Sequence, residues 1–320
     1  MTEPGIGRRS FVKGAGLMAL AMSGNIHVRE SYAQMAVPFS SGTQAPTLRA
    51  PANACDCHMH IYDSRFPIAA NATLRPPDAH VEAYQLLQKR LGTTRNVVVT
   101  PSTYGTDNRC TLDALAKIGP TARGVAVVDT SVTDAELKRL SDLGIRGIRF
   151  NLVQAGATSI DMLEPLSRRV ADLGWHVQIH MLGDEIVKVE DLLGRLPSTI
   201  VFDHMGRLPQ PAGIEHPAFA VIRKLIDNGR TWVKLSGAYQ DTKVGPPTYS
   251  DVSKVAQAYV AAAPERVVWG TDWPHPTERE HKPDDAILFD LLTEWAPGTA
   301  AQRRILVDNP DTLYGFPTSA

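Results

Sequence analysis

The sequence predicts a single α/β domain built as a closed (β/α)8 TIM barrel, on three observations. Short β-branched runs alternate with helix-compatible stretches about eight times after residue 55. The runs are nearly continuous in apolar residues, as expected of a parallel sheet covered by helices. No glycine-rich dinucleotide fingerprint follows the first run, which favours a barrel over a doubly wound sheet.

The N-terminus comes before that rhythm. Arg8-Arg9-Ser10-Phe11-Val12-Lys13 resembles a twin-arginine export pattern, and the apolar Gly14 to Gly24 stretch follows it. Ser31-Tyr32-Ala33 offers small residues at both positions a signal peptidase reads, so Gln34 is the expected mature N-terminus. Residues 1–33 are therefore expected to be a signal directing the chain to the periplasm. Their apolar run is too short to span a membrane. Residues 34–52, rich in Ser, Pro, Ala and Gly, read as a linker, and residues 53–320 as the barrel.

The first strand ends in Asp56-Cys57-His58-Met59-His60. Simple alternation would turn Asp56, His58 and His60 to one face and pack Cys55, Cys57 and Met59 behind them. Further strands are expected over 95–100, 123–129, 144–152, 176–181, 199–205, 231–237 and 266–272. Helices are expected over 108–118 and 134–143. Thr133-Asp134-Ala135-Glu136 supplies a capping box for the second of these. Gly144, Gly174 and Gly229 stand between helix and strand, where a C′ glycine belongs.

Composition narrows the function. The chain has 320 residues, 43% hydrophobic and 21% charged, with formal net charge −1. That supports one large core and argues against nucleic acid or a membrane as partner. The expected partner is a small molecule, and the expected state a monomer or small homo-oligomer. Three cysteines cannot form a closed disulfide set, and no Cys-x-x-Cys knuckle is present, so they read as packing thiols.

In a barrel, catalytic groups come from the C-terminal ends of strands. His58 and His60 end strand one here and Ser102 ends strand two. Arg149 and Asn151 end strand four, His180 strand five, His204 strand six, Ser236 strand seven and Asp272 strand eight. Asp272 can take the proton of an attacking water, while His58, His60 and His204 can polarise a carbonyl directly or through a cation. Arg149 and Arg207 can hold a carboxylate or sulfonate.

The order His58-x-His60, His180, His204, Asp272 resembles the amidohydrolase superfamily. Within it, the chain is most similar to the 2-pyrone-4,6-dicarboxylate hydrolases, sulfomuconolactone hydrolases and D-galactarolactone isomerases. The resemblance is carried by Asp56 to His60, Arg146 to Asn151, Asp203 to Arg207, Trp269 to Pro276 and Leu306 to Pro310. It implies a hydrolase opening an anionic unsaturated lactone from aromatic breakdown. A sugar-acid lactone isomerase is the alternative, and a decarboxylase or a non-catalytic exported binding protein are further readings. Ser102, Tyr104, Thr277 and His275 join the arginines as substrate-binding candidates by the same resemblance.

Binuclear members carry a bridging Lys or Glu at the end of strand four, where this chain has Arg149 and Asn151. The resemblance thus implies one divalent ion, Zn²⁺ or Mn²⁺, on His58, His60, His180 and Asp272, or chemistry without metal. The pyrone-dicarboxylate hydrolases carry Tyr where this chain has His180. They also carry arginines where it has Gln154-Ala155-Gly156 and Tyr239-Gln240, and a Tyr near Leu74. Fewer anion clamps point to a lactone with a different anion pattern.

Overall fold

The structure is a computed structural model that describes Met1 and residues 36–154 and 156–316. The twin-arginine stretch, the apolar run after it and the cleavage position before Gln34 lie outside the described residues. Eight parallel strands follow one another in sequence order. They are β1 (Cys55–Met59), β2 (Arg95–Val99), β3 (Ala122–Ala126), β4 (Ile145–Asn151), β5 (His176–His180), β6 (Thr199–Phe202), β7 (Thr231–Leu235) and β8 (Val267–Trp269).

Closure between first and last strand is made by the chain just beyond β8. Asp272 N donates to His58 O and His60 N to Trp273 O, both at 2.8 Å. Gly270 is required there, because a Cβ would fall 2.7 Å from the His58 backbone nitrogen. The result is the (β/α)8 barrel that the sequence predicts.

The first helices are α1 (Val81–Leu91), α2 (Arg109–Ile118), α3 (Asp134–Asp142) and α4 (Leu163–Ala171). Then come α5 (Gly183–Lys188), α6 (Glu190–Arg195), α7 (Pro217–Asp227), α8 (Ala238–Asp241), α9 (Ser250–Ala262) and α10 (Asp285–Asp290). The predicted cap of α3 forms, with Thr133 Oγ1 accepting from Glu136 N at 3.1 Å, a contact typically worth about 1 kcal/mol.

Strand alternation sorts the interior. Val98, Phe150, Ile179, Phe202 and Leu235 pack in the large apolar cluster. Their neighbours Val97, Val99, Val125, Val201, Trp232 and Val268 form a second cluster with Tyr314 and Phe316. The second set faces the barrel axis, since Arg149, Gln178, His180 and Lys234 share its phase and meet one another across the lumen.

β1 departs from the sequence expectation. Asp56 pairs with Asn96 and Met59 with Val98, so three steps on β1 match two on β2. That extra residue is a β-bulge, and it flips the alternation between Cys57 and His58. Cys55 and Cys57 therefore join the inner cluster, and Asp56 does not converge with the histidines. Its carboxylate accepts from Thr271 N at 3.0 Å, Thr271 Oγ1 at 2.6 Å and Tyr84 Oη at 2.9 Å. Asp56 staples β1 to the segment after β8. All three cysteines are buried and free.

The later strands also end earlier than expected. The chain leaves the ladder at Phe202, Leu235 and Trp269 and turns into left-handed backbone. φ is 49° at His204, 56° at Met205, 48° at Arg207, 63° at Asp272 and 54° at His275. Such clusters of non-glycine residues mark sites where surrounding structure holds a costly conformation in place.

The stretch read as a linker packs on the barrel. Trp273 Nε1 donates to Pro38 O at 2.8 Å, and the Phe39 ring meets Trp273 edge-on at 5.6 Å. Arg90 of α1 donates to Gln44 O at 2.8 Å, and Asp290 of α10 accepts from Leu48 N at 2.7 Å.

Candidate active site

Asp272 lies at the centre of the strand ends. Its Oδ1 is 3.3 Å from His60 Nε2, 3.5 Å from His58 Nε2 and 3.9 Å from His204 Nε2. Its Oδ2 accepts from Tyr239 Oη at 2.6 Å and Gln240 Nε2 at 2.9 Å. Burial works against the Asp272 charge, yet His204, His60 and His58 hold its carboxyl well below the usual carboxylate range. Burial pulls His58 well below its ordinary value and His204 down to about 4. The site thus sets an ionised carboxylate beside His58 and His204, whose rings burial keeps neutral.

Hydrogen bonding orients the imidazoles. His60 Nδ1 faces Val99 O at 2.7 Å; a carbonyl only accepts, so Nδ1 is the donor. His58 Nε2 lies 3.3 Å from His60 Nε2. His58 Nδ1 accepts from Lys234 Nζ at 3.3 Å. On its other side Asp203 Oδ1 stands 3.2 Å away, ready to accept should the proton move to Nδ1. His204 Nδ1 is paired with Ser236 Oγ at 2.9 Å. Gly237 makes room for this ring, since a Cβ there would lie 2.8 Å from His204 Nδ1.

Beneath the histidines runs a fully buried polar layer that sequence reasoning missed. Lys234 Nζ donates to Gln178 Oε1 at 2.6 Å and Cys57 O at 2.8 Å. Gln178 Nε2 and Arg149 Nε both donate to Asp203 Oδ2, at 3.1 and 3.2 Å. Burial draws Lys234 down to about 8, opposed by Asp203. The signal was present: Lys234 shares phase with inward Trp232, and Gln178 with His176 and His180.

The cleft above spans about 330 Å³ counting the space open to solvent, and is lined by His60, Ser102, Arg149, His180, His204 and Asp272, with Thr277 at its rim. Among the described residues, Arg149 has a protein acceptor at Nε alone. Arg207 is engaged differently. Nε and Nη2 grip the Asp241 carboxylate at 2.7 and 3.0 Å, and Nη1 donates to His180 Nε2 at 3.0 Å. Tyr104 turns away to Asp63, whose backbone nitrogen donates to its hydroxyl at 2.8 Å. His275 is buried behind Tyr239 and does not line the cleft.

A cation would fit this donor set. His58, His204 and Asp272 offer one ligand atom each within 4.8 Å of one another, and Nε2 of His60 lies 3.3 Å from both His58 Nε2 and Asp272 Oδ1. The expected fourth ligand, His180, has its Nε2 turned to Arg207. His204 takes its place beside the carboxylate.

Comparison with known proteins agrees with this geometry. The chain is 39% identical to a 2-pyrone-4,6-dicarboxylate hydrolase of Comamonas testosteroni, over 84% of its length and 92% of the relative's. It is 35% identical to a 4-sulfomuconolactone hydrolase of Rhizobium radiobacter, over 83% and 91%. It is 34% identical to a D-galactarolactone isomerase of Agrobacterium fabrum, over 86% and 94%. An apo crystal structure from Agrobacterium tumefaciens superposes with a TM-score of 0.82 at 32% identity, covering 88% of this chain and 99% of that one. Residues 55–316, from the first strand to Phe316, match the amidohydrolase family, and the chain belongs to it.

Proposed function

We propose that this protein hydrolyses the ring ester of an anionic, unsaturated lactone from aromatic breakdown, of muconolactone, sulfomuconolactone or 2-pyrone-dicarboxylate type. One observation carries the reading: Asp272 presents a single free oxygen to the histidines and the cleft, with its other oxygen already held by Tyr239 and Gln240. A water beside Oδ1 gives its proton to Asp272 as its oxygen attacks the lactone carbonyl. His60 and His204, which line the cleft, would polarise the carbonyl as its oxygen gains charge, with His58 behind them. Collapse breaks the ring C–O bond, and Asp272 returns the proton to the departing ring oxygen.

Arg149 is the anion contact within the cleft. An outer groove of about 1060 Å³, counting the space open to solvent, shares Leu74 and Pro276 with it and is lined by Arg75, Arg279 and Lys282. Three cations over apolar Phe39, Pro76 and Pro77 suit an anionic ring compound. His58, His60, His204 and Asp272 would hold one divalent ion, Zn²⁺ or Mn²⁺, which would supply Lewis-acid polarisation of the carbonyl. The twin-arginine pattern supports a periplasmic site of action.

The likeness to the galactarolactone isomerase supports a second reading, in which a substrate hydroxyl replaces water at the same carbonyl. A screen of purified protein against carboxylated, sulfonated and sugar-acid lactones separates the two. Ring opening is followed by ultraviolet absorbance, and isomer formation by NMR. Asp272→Asn should lose roughly 10²-fold or more of kcat. Retention of more than about a tenth of turnover would overturn Asp272 as the base.

A further inference from the structure

Tyr62 lines the cleft with a hydroxyl that the fold leaves without a partner. It follows β1 on the loop just beyond His60 and shares the cleft wall with Leu74, Pro101, Ser102 and Arg149. Tyr62 is only 2% exposed, yet its Oη has no hydrogen-bond partner among the described residues. Thr103, the hydroxyl nearby, donates its own hydrogen to Leu74 O at 2.7 Å. Buried phenols usually find a partner, because an unmade hydrogen bond inside a protein costs free energy.

The surroundings hold the ring where it is. Tyr62 N donates to Ala79 O at 3.0 Å and Ala79 N to Tyr62 O at 2.8 Å, an antiparallel bridge that fixes the backbone. The ring stands against His60, with centroids 6.2 Å apart, and against Tyr104, at 6.3 Å. Tyr104 shows what a structural tyrosine looks like here. Its hydroxyl accepts from Asp63 N at 2.8 Å and donates to Asp63 O at 3.3 Å. The cleft's tyrosine is therefore Tyr62 and not Tyr104, the one expected from the sequence.

The charges acting on the Tyr62 hydroxyl are those of Asp272 and Arg149. Asp272 repels a second anion, so an anionic substituent settles towards Arg149, where a phenol can donate to it. We propose that Tyr62 is a specificity residue that donates through Oη to the carboxylate or sulfonate of the bound lactone, which Arg149 holds by charge. A ligand with hydrogen or methyl at that position leaves the hydroxyl buried and unpaired, the arrangement that rejects a wrong ligand most strongly. The substrate named here rests on the lactonase reading; the anion contact rests on the cleft alone.

Tyr62→Phe removes only the oxygen, and two measurements on the full chain need no turnover. Thermal unfolding of the ligand-free variant should come at or above the wild-type Tm, because an unpaired hydroxyl gives way to an apolar ring edge. A fall of more than about 2 °C would show that Oη already has a structural partner, and would overturn the proposal. Isophthalate, a planar ring dicarboxylate with no ring ester to open, is the probe for calorimetric titration. Its Kd should rise about 10-fold in the variant, the loss of one hydrogen bond to a charged group. Unchanged affinity, or no binding to wild type, would overturn the contact. Tyr62-dependent binding in a protein that opens no lactone would support the contact while defeating the lactonase reading, so the two fail separately. With an active lactone in hand, kcat/KM should fall about 10-fold, chiefly through KM. A fall in kcat alone would place Oη at the reacting carbonyl and away from the anion.

Discussion

Lys234 stands directly beneath His58, its Nζ 3.3 Å from the ring's Nδ1 and both side chains fully buried. A buried ammonium is costly unless every proton is used, and here Cys57 O, Gln178 Oε1 and His58 Nδ1 take all three. Lys234→Met keeps the length and removes the donors. Partners that orient a functional histidine are typically worth 10–100-fold. The variant should lose about that much in kcat with KM nearly unchanged, since Lys234 does not line the cleft. Steady-state kinetics beside a circular dichroism spectrum decide it; a folded variant with kcat within about twofold of wild type would remove Lys234 from the catalytic apparatus.

That layer also shows what a linear sequence conceals. The barrel was legible because helix and strand periods alternate, and the strand-end histidines and Asp272 were legible because barrels put chemistry there. Lys234 and Gln178 lie in mid-strand, where a polar residue under simple alternation reads as a solvent face. In a closed barrel that face is the lumen. The phase of Asp56 was hidden for another reason, because Cys57 and His58 give no sign of the bulge between them. Tyr239 and Gln240 follow β7 in sequence, and only the fold of the loop brings them onto Asp272.

The donor geometry changes which histidine should matter for metal. Elemental analysis of protein purified without chelator should find about one Zn²⁺ or Mn²⁺ per chain. His204→Gln should lower that occupancy, because Nε2 of His204 lies on the Asp272 side. His180→Tyr should leave it nearly unchanged, because its Nε2 is paired with Arg207. The reverse ranking would restore His180 as the ligand.

Arg149 and Arg207 should part in the same way. Arg149 lines the cleft and keeps donors for an anion, whereas Arg207 is bound to Asp241 and His180. Arg149→Met should raise KM for a carboxylated lactone by about 10-fold or more, the loss expected of a charge-assisted contact worth roughly 1.5–3 kcal/mol. Arg207→Met should change KM less and act by loosening His180. Equal effects on KM would put both guanidinium groups on the substrate.

His176 supplies a pH dependence that can be isolated. It opens β5 with its ring against Gly147, where a Cβ would come within 2.4 Å of Nε2, and meets Tyr314 edge-on at 5.4 Å. Neither ring nitrogen has a hydrogen-bond partner among the described residues. Burial, helped by the Lys234 charge, draws it from 6.5 to about 3. The folded chain therefore keeps this ring neutral between those values while the unfolded chain protonates it. The unfolded state binds more protons in that window, so stability is full above pH 6.5 and falls as pH drops towards 3. At pH 5 the loss from this residue is about 2 kcal/mol. His58 and His204 titrate in the same direction, so wild type must be compared with His176→Gln, which carries no titrating ring. Denaturant unfolding at pH 7 and pH 5 should show a smaller loss in the variant, by roughly that 2 kcal/mol. Equal pH slopes in the two proteins would mean that His176 is protonated in the folded state or that the site opens to water.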